Sequence, residues 1–227
     1  MSVITISRKY GSMGTYIGKK LAQKIGYSYV DKNVLSKIMN EYGFNNFENI
    51  YEGLSNLKVF VDEDRDSTIN FLALVILAVA QHDNVVIEGR GSFGILNSFS
   101  DVINVRISAP ENCRINRLME QRNITEIEAK KIVNQNDKLR KHFVEYDFKF
   151  DYDCTRDFDF MFDTSIVPPD MCVDWIEQIY AITKDKRHDV RHSVKSIEVD
   201  SVLENCINEM LRSLKDNKDP ILYQIEK

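Results

Sequence analysis

The 227-residue chain has few of the residues that mark a specialised class of protein. It contains nine glycines, four prolines and four cysteines. Its most apolar run, residues 71–80, is about half of the ~20 residues that a membrane-spanning helix needs. A composition of 43% hydrophobic and 29% charged residues excludes global disorder. At roughly 150 residues per domain, the length predicts one large domain, or one domain with an appendage.

The charge balance is mildly acidic, with 30 Lys and Arg against 35 Asp and Glu. A net charge of −5 disfavours broad nonspecific binding to nucleic acid. The opening residues, MSVITISRKY, show no long apolar stretch behind a basic head, so we expect no signal peptide. These features predict a cytoplasmic protein with neither nucleic acid nor a membrane as its partner.

Cysteine and histidine are too scattered to suggest a metal site. Buried, reduced thiols are therefore the expected state of the cysteines, which are Cys113, Cys154, Cys172 and Cys206. No histidine has an evident serine or cysteine partner for catalysis, so we assign no role to any of them.

Most of the few glycines fall into two clusters, and each cluster follows a short β-rich run. Gly11, Gly14 and Gly18 follow residues 3–7, and Gly89, Gly91 and Gly94 follow residues 85–88. A continuous apolar strand indicates burial on both faces, as in a parallel sheet. Glycine directly after such a strand lets the backbone turn tightly and approach a ligand.

Hydrophobic periodicity predicts helices between the strands. An apolar residue at every fourth position from Ile17 to Ile25 predicts an amphipathic helix that ends at Gly26. Asp31 is predicted to cap a second helix to about residue 42, and Thr125 to open a capping box. Further strands are predicted at 28–30, 102–108 and 158–163, and further helices at 67–81, 111–122, 125–146 and 168–175. This alternation predicts an α/β fold, a three-layer α/β/α sandwich around a five-stranded parallel sheet.

Two regions lie outside this regular pattern. Residues 43–66 are polar and irregular, with weak helical pieces. Residues 183–197 are charged and are interpreted as a connector to a helix with an apolar stripe from Val199 to Leu214. We favour docking of this helix on the body over a dimer contact, and a homodimer stays open.

The first strand, glycine turn and helix have the layout of a phosphate cradle. A helix N-terminus carries partial positive charge and unpaired N–H groups that suit phosphate oxygens. The common signature G-x-x-x-x-G-K-[ST] adds a lysine that reaches the terminal phosphates. If Thr15 occupies the Ser/Thr position, Gly14 stands where that lysine should be. Taken alone, this pattern fits an ordinary glycine turn equally well.

Four segments favour the phosphate-binding loop over an ordinary glycine turn, because they occur together in one order and spacing. They are Ile4-Thr-Ile-Ser-Arg-Lys-Tyr-Gly-Ser-Met-Gly14, Tyr29-Val-Asp31, Val86-Ile-Glu-Gly-Arg90 and the run from Arg114 to Arg140. In this combination the chain resembles the cytidylate kinase-like family, a branch of the P-loop nucleoside monophosphate kinases, over about residues 1–182. Members of that branch carry S-R-x-Y-G-S-G-G, so the absent lysine is a trait of the branch. Met13 departs from that pattern in place of glycine, and Thr15 in place of the commoner arginine.

The resemblance implies a P-loop NTPase-type fold and transfer of the γ-phosphoryl group of Mg²⁺-ATP to a nucleoside monophosphate, with CMP as the implied acceptor. The loop residues Gly11, Ser12, Met13, Gly14 and Thr15 would hold the donor phosphates. Thr15 would also help to ligate Mg²⁺. Residues 111–147 would form a helical lid, and residues 183–227 would lie outside the kinase-like domain.

Phosphoryl transfer needs positioned positive charge, and the planar fork of arginine bonds phosphate oxygens bidentately. Arg8 lies in the loop, where it could do part of the work of the absent lysine, although a surface arginine is equally expected. By resemblance Arg90 matches the arginine that holds the acceptor phosphate, while Glu88 replaces the aspartate of that motif. A structural ion pair is the alternative for Arg90.

The remaining candidates lie in the predicted lid and beside the acceptor. By resemblance, Arg117 and Arg140 are catalytic residues that stabilise the transferring charge, and Arg114 and Arg122 belong to the same helical region. A solvated helix face is the alternative for all four. Asp31 is expected near the acceptor, although a helix cap explains it equally well. Residues 148–159 mix aromatic and acidic side chains that could stack a base, but a half-buried strand with its loop is favoured.

Two other functions stay open at this point. The absent lysine and Met13 fit a non-catalytic module that binds a nucleotide or phosphate. Residues 43–66 do not visibly reproduce a cytidine-binding insert, which leaves room for a kinase of another phosphate acceptor.

Overall fold

The computed structural model describes residues 3–45, 47, 62–184 and 193–216. Within these residues, one parallel sheet has the strand order β2-β3-β1-β4-β5. Its strands are β1 (Val3–Arg8), β2 (Ser28–Val30), β3 (Val85–Glu88), β4 (Val102–Ser108) and β5 (Phe160–Asp163). The five-stranded parallel α/β fold predicted from the alternating pattern is therefore confirmed.

Helices connect the strands and flank the sheet. They are α1 (Gly14–Ile25), α2 (Lys32–Glu41), α3 (Asp62–Gln81), α4 (Ser92–Ile95), α5 (Glu111–Arg122), α6 (Glu126–His142), α7 (Pro169–Thr183) and α8 (Ser201–Asp216). A π-helical turn, Phe143–Asp147, directly continues α6, and short 3₁₀ turns occur at Thr155–Asp157 and Val194–Ser196.

Alternate residues of the central strand enter two different halves of the hydrophobic core. Val3 belongs to the half that contains side chains of α2, α3 and α8. Ile4 and Ile6 belong to the half that contains side chains of α1 and α7. Since both faces of the sheet are covered, the carboxyl ends of the strands are where the sheet meets solvent and a ligand can enter.

The predicted helix boundaries are confirmed where local capping determines them. Gly26 ends α1 in the left-handed region, at φ 73°. The side chain of Asp31 accepts hydrogen bonds from the amides of Asn33 and Val34 at the start of α2. Thr125 and Glu128 form the predicted capping box of α6.

Boundaries that depend on packing were predicted less well. The long helix expected to reach residue 146 ends at His142 and changes to a π-helical turn. The fifth strand begins at Phe160, not Phe158, because the backbone of Phe158 still ends the 3₁₀ turn Thr155–Asp157, with its amide donating to the carbonyl of Thr155. The Phe158 ring packs 4.7 Å from the ring of Phe93. Helix α7 continues to Thr183, well beyond the predicted end at residue 175.

The C-terminal helix α8 docks on the body of the molecule, as favoured from its apolar stripe. Leu203, Ile207 and Leu211 are buried in the core half that contains α2 and α3. The segment that precedes α8 is also attached to the body, because the Ser193 hydroxyl and the Val194 amide donate hydrogen bonds to Asp101. The homodimer stays a prediction. Residues 46, 48–61 and 185–192 lie outside the described residues, and with them most of the irregular segment and the connector.

The thiols differ from the expectation in part. All four cysteines are free, but only Cys172 is fully buried, and the other three are partly exposed. Burial raises the pKa of the Cys172 thiol to about 11. Among the described residues, no helix is both long and apolar enough to cross a membrane.

Candidate active site

A cleft opens at the carboxyl ends of β1 and β3, where the two glycine clusters begin. It encloses about 310 Å³, part of which is open to solvent. Arg8, Arg90 and Arg140 line it, and they come from the end of β1, the loop after β3 and the last turn of α6. Two of the three predicted catalytic arginines thus meet the predicted acceptor-binding arginine. Such a cluster of guanidinium groups is suited to a phosphate-bearing ligand.

The side chain of Arg8 lies across the start of this cleft and forms an ion pair. Its Nη2 donates to Oε1 of Glu88, whose other oxygen accepts a hydrogen bond from the Tyr29 hydroxyl. Glu88 is only 4% exposed. Burial, followed by the Glu88 charge, raises the pKa of Tyr29 well above its usual value, so this hydroxyl stays protonated and donates. The carboxylate therefore fixes Arg8 and neutralises part of its charge.

Two of the glycines make room for this arginine. A Cβ at Gly89 would lie 2.2 Å from Nη1 of Arg8, and one at Gly14 would lie 2.6 Å from the Cβ of Arg8. Sequence reasoning expected glycine to bring the backbone near a ligand. In the structure, the first consequence is space for the Arg8 side chain beside the cleft.

Aromatic rings hold Arg90. Its backbone is in the left-handed region, at φ 57°, and its side chain is buried. The guanidinium carbon lies 5.9 Å from the ring centroid of Phe47 and 5.6 Å from that of Phe143, which are cation–π distances. The rings orient the guanidinium within the cleft.

Arg140 connects the end of α6 to the phosphate loop. Its Nη1 donates to the backbone carbonyl of Arg8 at 3.1 Å, and its guanidinium carbon lies 5.5 Å from the ring centroid of Tyr10. The predicted lid segment, residues 111–147, therefore contacts the loop in this structure through a residue that also lines the cleft. Its role as a lid stays a prediction.

Met13 occupies the N-cap of α1 and does not fill the cleft. Its backbone is left-handed, at φ 67°, where a residue with a Cβ is strained and glycine is not. Its side chain is 3% exposed and belongs to the core half that contains Ile17 and Ile107. Because no side chain caps α1, the amides of its first turn are left to bind an anion.

Arg114 fixes the phosphate loop from outside. It is buried, and its Nη1 donates to the carbonyl of Tyr10 at 2.9 Å and to Asp137 at 2.7 Å. Asp137 in turn accepts a hydrogen bond from the Tyr10 amide. Both backbone polar groups of Tyr10, its amide and its carbonyl, are thereby held by side chains of helices α5 and α6.

Arg117 contacts the same loop and does not line the cleft. Its guanidinium donates to the carbonyl of Gly11 at 3.4 Å and to the side-chain and backbone oxygens of Thr164. The Thr164 hydroxyl donates to the carbonyl of Ser12 at 3.0 Å. These contacts favour a loop-holding role, and the predicted catalytic role of Arg117 stays a prediction without support from this geometry. Arg122 is exposed and bonds the Tyr10 hydroxyl.

Among the residues expected to hold Mg²⁺-ATP, one side-chain atom, the hydroxyl oxygen of Thr15, fits a role as a ligand. The hydroxyl oxygen of Thr15 is buried and has no hydrogen-bond partner among the described residues. An unsatisfied oxygen in the first turn of an uncapped helix suits a magnesium ligand or a phosphate donor. No cluster of three metal-ligating side chains occurs in the described ranges. Mg²⁺ does not need one, because waters and substrate phosphates usually complete its shell.

Two other predicted contributions can be located. Oδ1 of Asp31 accepts the hydrogen bonds that cap α2, which supports the explanation of Asp31 as a helix cap. Its role beside the acceptor stays a prediction. In the aromatic segment, Phe150, Tyr152 and Phe158 belong to a small buried cluster with Phe93, and of these Tyr152 and Phe93 line the cleft. A half-buried loop is thus the better description of this segment.

The second glycine cluster serves that aromatic packing. A Cβ at Gly91 would lie 2.8 Å from the ring of Phe148, and one at Gly94 would lie 2.2 Å from the ring of Phe150. Sequence reasoning missed this, and it also missed the buried Arg106 beside Tyr152. A signal for Arg106 was present, since a charged residue is unusual in a strand that is buried on both faces, as Val102–Ser108 was predicted to be.

Comparison with known proteins agrees with this architecture. The sequence profile of the cytidylate kinase-like family matches residues 3–166. The chain belongs to the cytidylate kinase-like family. Membership implies nucleotide binding and phosphotransfer as the class of function.

Individual relatives are distant. A cytidylate kinase from Ignicoccus hospitalis is 26% identical over 180 residues, which cover 79% of this chain and 99% of that protein. A crystal structure of an uncharacterised protein from Eubacterium ventriosum superposes with a TM-score of 0.61 at 21% identity, covering 82% of this chain and all of the other, and so supports the fold. A shikimate kinase from Acinetobacter baumannii reaches a TM-score of 0.47 at 15% identity, covering 82% of this chain and 96% of the other. We draw nothing from that weaker likeness.

Proposed function

We propose that this protein transfers the γ-phosphoryl group of ATP to a nucleoside monophosphate, with CMP as the favoured acceptor. Family membership supports the reaction class, and the name of the Ignicoccus relative supports the acceptor. The observation that carries the proposal is the convergence of Arg8, Arg90 and Arg140 on one cleft. Residues 11–15 do not line this cleft, but Gly14, the first residue of the uncapped helix α1, packs against Arg8.

In this proposal the donor phosphates bind the loop from Gly11 to Thr15. Uncapped amides in the first turn of α1 donate to phosphate oxygens, and the Thr15 hydroxyl is available as a magnesium ligand. When bound, Mg²⁺ supplies charge neutralisation on the phosphates. Arg114 and Arg117 hold the loop carbonyls so that the loop keeps its shape.

The acceptor phosphate binds Arg90 in this proposal, and Arg8 and Arg140 stabilise the charge on the transferring group. Arg8 substitutes for the lysine of the common signature, with Glu88 and Tyr29 fixing its guanidinium. Arg140 joins the predicted lid to the loop, so its guanidinium is in place when residues 111–147 lie over the cleft. Transfer then depends on positioning and electrostatic stabilisation, which is what phosphoryl transfer requires.

One observation favours a second candidate, a module that binds a phosphate ligand without catalysis. Arg8 is paired with the buried Glu88, so the residue that would replace the lysine carries less net positive charge toward the ligand. A kinase of another phosphate acceptor is the third candidate, because residues 43–66 do not visibly reproduce a cytidine-binding insert.

A panel assay separates the three candidates. Purified protein is incubated with Mg²⁺-ATP and, in turn, with CMP, dCMP, UMP, AMP and GMP, and ADP release is measured. The proposal expects the fastest release with CMP. Release with a different acceptor supports the third candidate.

Binding must be measured on the same samples. Calorimetric binding of ATP or CMP without ADP release from any acceptor would support the non-catalytic module and refute the kinase. The Arg90→Ala protein is the control for release that does not depend on the cleft.

A further inference from the structure

A ladder of buried polar residues crosses one face of the two central strands. Thr5 and Ser7 of β1 pair in register with Asn104 and Arg106 of β4. All four residues are buried, with exposures of 0%, 6%, 4% and 4% in the same order. Buried polar groups need partners, so each rung of the ladder can be checked for donors and acceptors.

In the lower pair, Thr5 and Asn104, the side-chain donors are satisfied. The Thr5 hydroxyl donates to Oδ1 of Asn104 at 2.6 Å, and the side-chain amide of Asn104 donates to the carbonyl of Phe93 at 3.4 Å. Each of these donors therefore meets an acceptor within the protein.

The upper pair, Ser7 and Arg106, contains more hydrogen-bond donors than acceptors. Nη1 of Arg106 donates to the Ser7 hydroxyl oxygen at 2.7 Å. Its guanidinium carbon lies 4.1 Å from the ring centroid of Tyr152, a cation–π contact, and no carboxylate lies within 4 Å among the described residues. Asp153 is near enough for the charge of Arg106 to contribute to the lowered pKa of its carboxyl group, but its direct ion pair is with Lys141. A buried guanidinium group without a direct ion pair is costly unless an anion reaches it.

The bond from Arg106 determines what the Ser7 hydroxyl can do. Arginine has no acceptor, so the Ser7 oxygen must accept, and its own proton is left for a different partner. Among the described residues, the hydroxyl of Ser7 is not found donating to any acceptor. Ser7 and Tyr152, which Arg106 contacts by a hydrogen bond and by a cation–π contact, both line the cleft.

We propose that Ser7 donates a hydrogen bond to an anionic phosphate oxygen bound in the cleft, and that Arg106 is the positioning residue that fixes Ser7 as a donor. This inference rests on the proposed function because it uses the same cleft. It adds a hydroxyl subsite, on the strand side of the cleft, to the three arginines.

Calorimetry with inorganic phosphate tests the Ser7 subsite without turnover. Ser7→Ala is expected to bind phosphate about tenfold more weakly, the low end for a hydrogen bond to a charged group. Ser108→Ala is the matched control, because Ser108, like Ser7, lies near the carboxyl end of a strand but donates to the carbonyl of Phe162 and does not line the cleft. The control is expected to bind phosphate like the wild type.

Arg106→Met and Arg106→Lys test the positioning role. Arg106→Met should weaken phosphate binding about tenfold, and in combination with Ser7→Ala it should add no more than about threefold, because both changes remove one interaction. Arg106→Lys keeps a charged donor and should recover most of the affinity. If Arg106 were only structural, Arg106→Met would lower the urea midpoint of unfolding and leave the phosphate affinity of the folded protein unchanged.

The outcomes separate this inference from the proposed function. Phosphate affinity that is equal in Ser7→Ala and wild type, or wild-type protein that binds no phosphate at millimolar concentration, overturns the subsite whether or not CMP is phosphorylated. Weaker binding in Ser7→Ala together with no ADP release from any acceptor supports the subsite and refutes the kinase.

Discussion

Two groups of arginines surround the phosphate loop, and they differ in what their guanidinium groups contact. Arg8, Arg90 and Arg140 line the cleft. Arg114, Arg117 and Arg122, all on α5, bond the loop from outside, through backbone carbonyls or the Tyr10 hydroxyl. Residue type and spacing made all six look alike. The comparison teaches that an arginine that bonds the loop without lining the cleft positions the loop, whereas one that lines the cleft is placed to meet a ligand. Arg140 does both, because it lines the cleft and also donates to the carbonyl of Arg8.

The largest effect is expected for the most buried of the loop-holding arginines. Arg114→Met should lower the free energy of unfolding by about 3 kcal/mol, because Asp137 loses its partner in a largely buried pair. Urea denaturation followed by circular dichroism measures this. A change below about 1 kcal/mol would place Arg114 outside the loop-holding group.

Arg90→Ala should show the opposite pattern, with activity reduced more than stability. We expect kcat/KM with CMP to fall more than tenfold, about 1.4 kcal/mol of transition-state stabilisation. Steady-state ADP release measures this, and a urea curve checks that the protein is folded. Unchanged turnover would remove Arg90 from the mechanism and break the comparison at its cleft side.

Substitutions at Met13 test whether the left-handed backbone at the start of α1 is strained, a property of the loop that does not involve the cleft-lining arginines. Both Met13→Ala and Met13→Gly lose the buried side chain, but only glycine relieves the left-handed backbone. The glycine variant should therefore be more stable than the alanine variant by about 1 kcal/mol, the cost of the left-handed region. The difference in free energy of unfolding, measured with urea, decides this, and an alanine variant of equal or greater stability would contradict the strain.

The smallest effect is expected at Arg122, which is exposed at the end of α5. Arg122→Ala should change the free energy of unfolding by less than about 0.5 kcal/mol, as is usual for an exposed position. It should leave kcat/KM within about twofold of the wild type. Denaturation and ADP release measured beside Arg90→Ala provide the check. A tenfold loss of activity here would mean that the arginines of α5 and the cleft-lining arginines are not separate groups in function.

Much of the fold could be predicted because its signals are local. Gly26, Asp31 and Thr125 determine helix ends through their own backbone or side-chain hydrogen bonds. The apolar strands and the helices between them predicted the parallel sheet. The packing of Phe158 was less predictable, because its ring lies against a ring more than sixty positions away in the chain.

The candidate site was predicted as a set of residues but not as an arrangement. Arg90 and Arg8 were expected at the cleft, and both line it. Arg117 was expected to act on the ligand, but its bonds lead to Gly11 and Thr164. Arg106 was not considered at all, although its charge in a strand predicted to be buried was visible.

The amino-acid sequence alone determined the order of strands and helices, the position of the glycine turn and the number of arginines near it. These follow from hydrophobic periodicity and capping, which act between neighbouring residues. Only the tertiary structure decided which arginines face the cleft and which hold the loop. That choice depends on partners distant in the chain, such as Glu88 for Arg8 and Asp137 for Arg114, and on the register that sets Ser7 beside Arg106.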